Sequence, residues 1–152
     1  MKRFQFTLQK LMDFRQQELD RQKNTLSALQ ADLQRMHQEK EELIHRVEQS
    51  SEELDVVCRQ GAQAYEISVR KRYIVSLQQE IHAHEFSISI KQEEVNKQLG
   101  VVVEATKDVR TLEKLEEKQL EEYKAAATKE NEQFIEEFVS GQSIRKAQSQ
   151  GA

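Results

Sequence analysis

The sequence has no proline and no tryptophan, a single cysteine, and four glycines in 152 residues. Each shortage excludes something. Proline costs about 3 kcal/mol in a helix interior, and ordinary usage would place about seven or eight in this length, so nothing of that kind breaks a helix from within. The lone Cys58 rules out an intramolecular disulfide and fits a reducing cytosol. No apolar run approaches the ~18 residues of a membrane-spanning helix, and none is expected. The opening Met1-Lys2-Arg3-Phe4-Gln5-Phe6 is basic but leads into Gln9, Lys10 and Asp13 instead of an apolar signal core, so no cleaved secretion signal is expected. Basic and acidic residues number 23 and 27, for a net charge of −4, which gives no electrostatic reason for nucleic-acid binding. Hydrophobic residues make up 37% and charged residues 33%, against roughly 45–50% and about 25% in ordinary globular domains. Such a chain buries narrow stripes, and a thick core is excluded.

What is present is a 3–4 alternation of apolar residues. One row runs Leu19, Gln22, Leu26, Leu29, Leu33, Met36, Lys40, Leu43, Val47, Ser50, Leu54, Val57, in which only Gln22, Lys40 and Ser50 are polar. A second runs Ile74, Leu77, Ile81, His84, Ile88, Lys91, Val95, Gln98, Val102, Ala105, Val109, Leu112. A repeat averaging about 3.5 residues is the seam of a left-handed coiled coil, whose apolar row must face a partner helix to leave water. Beyond Leu112 the phase drifts through Leu115, Leu120, Tyr123, Ala127, Phe134 and Phe138, as a stutter produces.

Gly61 is the sole glycine before Gly100 and lies where the first seam ends. The expected fold is therefore all-α, a long antiparallel two-helix coiled-coil hairpin forming one domain. Helix 1 is expected over about 4–57, a turn over about 58–64, helix 2 over about 65–140, and a disordered tail over 141–152. Residue i then faces roughly residue 122 − i, and helix 2 outruns helix 1 beyond roughly residue 118 at about 1.5 Å per residue. That overhang carries Tyr123, Phe134, Ile135, Phe138 and Val139, so the end holding both termini reads as a docking end.

Chemistry finds little to stand on. His82 and His84 point about 200° apart on a helix, whereas helical zinc sites use an i, i+4 pair, and His37 and His45 are too widely spaced. His84 falls on the seam, either as a polar layer fixing register or as a partner contact. Cys58 has only Arg59 as a basic neighbour and reads as inert. Arg70-Lys71-Arg72 reads as a solvated helix face in preference to a phosphate patch. No phosphate-binding loop, nucleophile elbow or paired-cysteine motif occurs, and the carboxylates lie on exposed faces. Neither an enzyme nor a cofactor is expected.

Two segments resemble a known family. Phe4-Gln5-Phe6-Thr7-Leu8-Gln9-Lys10-Leu11-Met12-Asp13-Phe14-Arg15, followed by Glu18, is similar to the start of the bacterial flagellar type III export protein family FliJ. The late stretch Leu112–Tyr123 with the Phe134-Ile135-Glu136-Glu137-Phe138 ending is similar to that family's C-terminal part. The resemblance implies a cytoplasmic antiparallel coiled coil similar to the rotor stalk of F-type ATPases, with the end carrying both termini inside the hexameric export ATPase ring. It also implies contact with the cytoplasmic domain of the export gate, handling of export chaperones, and peripheral association with the inner membrane through the export apparatus. Carried over by local pattern, the gate surface is Tyr73, Leu77 and His84, with Leu43 across the hairpin. The expected ring end is Phe4, Phe6, Leu8, Leu11 and Phe14 with Tyr123, Phe134 and Phe138. Two other readings share the pattern: an injectisome export stalk of the same architecture, and a structural coiled coil forming a parallel homodimer, for which Gly61 is the difficulty.

Overall fold

The computed structural model describes residues 1–151 as two helices, α1 over Gln9–Arg59 and α2 over Ala64–Gln150, with no strand among the described residues. The link between them is built on Gly61, the one residue with positive φ among the described residues, at 81°. The Ala62 N–H donates to the Val57 carbonyl at 3.2 Å and the Gly61 N–H to the Cys58 carbonyl at 3.3 Å. Those are the two bonds of a Schellman cap, which satisfies the last carbonyls of α1 and needs a left-handed residue at its centre. A Cβ at Gly61 would meet nothing within 4 Å, so handedness alone selects glycine here.

The chain packs as two compact units, one of Leu19–Ala105 and one of Met1–Glu18 with the chain from Thr106 onward. In the first, α1 and α2 run antiparallel. The Gln98 amide donates to the Gln22 side-chain oxygen at 2.7 Å and to the Gln22 carbonyl at 3.0 Å. Lys40 pairs with Glu85 at 3.4 Å, and Glu53 with Arg70 at 3.7 Å. These cross-helix partners follow the fold-back expected about Gly61. None of the residues in the two expected apolar rows is exposed, and Leu19, Leu43, Leu77, Val95 and Val102 are buried. Full burial of one such side chain contributes about 1.5–3 kcal/mol, whereas an exposed ion pair contributes about 0–1 kcal/mol, so the aliphatic row holds the pair together. The Gln22–Gln98 layer and the half-buried Lys40, His84 and Lys91 interrupt it.

In the second unit, α1 begins at Gln9, later than the expected position 4, because the chain before it is used in another way. Residues 1–6 form no regular structure, and Phe6 is buried while its carbonyl accepts the Gln9 N–H at 3.2 Å. Phe4 lies against Tyr123 with ring centroids 5.5 Å apart, and the Tyr123 hydroxyl donates to the Lys2 carbonyl at 2.6 Å. Chain outside a helix is not held to the helical rise of about 1.5 Å per residue, so the same few residues reach further along α2. The covered part of α2 accordingly reaches Tyr123 and the half-buried Ala127, past the expected limit near 118. The end of α2 differs too. Residues 141–150 continue the helix where a disordered tail was expected, since Gly141 costs a helix only about 1 kcal/mol and no proline stops it.

Candidate docking surfaces

The described residues hold no group of three or more His, Cys, Asp or Glu able to share a metal ion, and no helix is long and apolar enough to cross a membrane. What the structure offers is surface. Three stretches stand out for the apolar side chains they gather or expose.

The first is the start of α2. Of the four residues expected to meet a gate, Leu43 and Leu77 are buried, Leu77 to 2% exposure. That corrects their expected role as contacts. They occupy seam positions, so their side chains hold α1 to α2 and have no free face to present. Tyr73 is half exposed, and His84 is half-buried with its Nδ1 4.0 Å from a Glu39 carboxylate oxygen on α1. His82 and Lys40 both approach Glu85, at 3.4 Å each. Beside them, Tyr65, Val69 and Phe86 are exposed. These three were not singled out from the sequence. The signal for them is a large apolar side chain two or three places off the seam row, where solvent-facing residues are normally polar.

The second stretch is the clasp of the N-terminal residues with α2. Phe4 and Tyr123 meet there; of the neighbouring expected residues Phe6 is buried, and Leu8 is half-buried like Phe4 and Tyr123. Leu11 and Phe14 do not join them and are exposed on α1. A shallow groove beside the clasp is lined by Phe4, Phe6, Thr7, Lys10 and Glu116.

The third is the far part of α2. Every residue from Thr128 to Ser140 is exposed, including Phe134, Ile135, Phe138 and Val139. Steps of one, four and five place these four in one stripe, bordered by Glu130 and Glu137 on one edge and Glu132 and Glu136 on the other. Phe134 and Phe138 also continue the seam row of α2 through Tyr123 and Ala127, at a level where no described residue covers it. Ile135 and Val139 widen the stripe beyond the two phenylalanines expected from the sequence.

A family model described as Flagellar FliJ protein matches residues 4–148. No curated protein and no solved structure matches the chain.

Proposed function

Since the chain belongs to the flagellar FliJ family and is thus a flagellar export-related protein, we propose that it is the non-enzymatic stalk of the export machinery, inserted in the export ATPase ring, linking that ring to the export gate and escorting export chaperones. The observation that carries the reading is the bare apolar stripe at Phe134, Ile135, Phe138 and Val139 on a helix whose earlier, in-phase positions are covered. Isolated helices do not keep four large apolar residues in water without a partner that uses them.

The mechanism is physical. A pair of packed helices is about 20 Å across, narrow enough for the pore of a hexameric ring. Asymmetric contact with the ring stabilises some subunit conformations over others, and ATP turnover responds through that difference in binding. Phe134 and Phe138, with the Phe4–Tyr123 clasp beside Phe14 and Leu11, form the ring end. Tyr73 and His84 are the proposed gate contacts, and Leu43 and Leu77 keep the helix pair beneath them in register. Peripheral attachment to the inner membrane follows from those contacts.

Purified export ATPase should assemble into its ring at lower concentration, and hydrolyse ATP faster, when the protein is added. The Phe134→Ser/Phe138→Ser variant should lose both effects while keeping its helicity. An ATPase indifferent to the unmodified protein overturns the stalk reading. For the gate, Tyr73→Ala should weaken binding about tenfold with an unchanged circular dichroism spectrum.

A further inference from the structure

The first turns of α2 carry an open groove. It runs between two rows of the helix surface, Ile67, Lys71 and Val75 on one side and Ser68, Arg72 and Ser76 on the other, with no carboxylate in the lining. These residues recur at steps of three and four, so the two rows run side by side along α2, the track in which another helix lies. The adjacent Arg70 is held by Glu53 at 3.7 Å and Glu66 at 3.5 Å. Lys71 and Arg72 are exposed, and neither has an ion pair among the described residues. The groove thus combines apolar Ile67 and Val75, positive Lys71 and Arg72, and the small Ser68 and Ser76 that let a helix approach.

Its complement is in the same sequence. The stripe of Phe134, Ile135, Phe138 and Val139 is apolar and bare, and its borders are Glu130, Glu132, Glu136 and Glu137, all exposed. Two phenylalanines one turn apart fit between groove residues spaced along a facing helix, and the bordering carboxylates then meet Lys71 and Arg72.

We propose that the free protein self-associates head to tail, the acidic helix 130–139 of one copy lying in the Lys71/Arg72 groove of the next. The contact is heterologous, because the two surfaces that meet are different, so each copy offers one groove and one stripe and the mass of the assembly rises with concentration. The interface is short, and its charges are exposed, so binding is weak and screened by salt. The inference does not rest on the stalk reading. The ring and the neighbouring copy are alternative occupants of one stripe, and self-association covers it when no ring is present.

Sedimentation velocity on the full chain, without ATPase, tests it. The weight-average mass should rise from the monomer value as concentration approaches the millimolar range, and fall back when salt is raised. Lys71→Glu/Arg72→Glu and Phe134→Ser/Phe138→Ser should each weaken association at least about tenfold, with helicity unchanged by circular dichroism. An equimolar mixture of these two variants has one intact groove and one intact stripe per pair, and should stop at the dimer. Adding Glu136→Lys/Glu137→Lys to the groove variant should restore growth. A wild-type chain that stays monomeric throughout overturns the proposal. So does association that survives the groove reversal, which would mean pairing of stripe with stripe, or a mixture that stays monomeric.

Discussion

Two stretches of α2 make an instructive pair. Between Leu77 and Val109 the helix places modest aliphatic side chains at seam spacing, and Leu77, Val95, Val102 and Val109 are buried. From Phe134 to Val139 it places larger apolar side chains at compatible spacing, and all four named there are more than half exposed. Periodicity is therefore not what separates them. The seam is dry because α1 and the residues before it supply a covering surface, and the stripe is wet because that surface has run out. Spacing specifies that a face wants a partner, and only chain length and connectivity decide whether the partner is in the same molecule.

The comparison can be broken most sharply by deleting one side chain from each stretch. Leu77→Ala should lower the stability measured by urea denaturation by about 2–4 kcal/mol, through lost burial and the cavity left behind. Phe134→Ala, although it removes more carbon, should change it by no more than about 0.5 kcal/mol, because its ring is already in water. Equal losses would mean that the stripe is covered in the free protein.

Next in size is the cap that lets the seam close. Gly61→Ala must adopt a left-handed conformation and should cost about 1–2 kcal/mol by the same urea titration. Spin labels at positions 33 and 88 should then still report a separation near the ~10 Å between packed helix axes plus the label arms. An unbroken helix would set them about 80 Å apart. Smaller again, Tyr123→Phe removes the hydroxyl that meets the Lys2 carbonyl and should cost about 1 kcal/mol, with the N-terminal amides exchanging hydrogen faster. The smallest change carries the opposite sign. Gln22→Leu with Gln98→Leu should leave stability unchanged or raise it by about 1 kcal/mol, while broadening the distance distribution of the 33/88 label pair, because a polar layer fixes register at some cost in stability.

Most of the helix pair was legible in the sequence, for reasons visible in particular residues. Every seam residue from Leu19 to Val57 sits where a 3–4 count puts it, and Gly61 is the only early residue suited to a left-handed cap. The N-terminal clasp was not legible. Nothing local to Phe4 and Phe6 announces that the chain before α1 leaves the helix and meets Tyr123. The end of α2 misled for a related reason, since loss of apolar period signals loss of packing but not loss of helix, and residues 141–150 keep the backbone without the stripe. Of the surfaces, the family pattern led to Tyr73 and His84 but also to Leu43 and Leu77. Likeness of pattern carries a residue's place on the helix without its exposure, and burial depends on the helix across the hairpin.

Gly61 has one further consequence. A Cβ there meets nothing within 4 Å and only its backbone angle is demanding, so the position discriminates by handedness. A semisynthetic chain with D-alanine at position 61 should fold as the glycine protein does and resist urea better, since the D enantiomer favours that angle and restricts the unfolded chain.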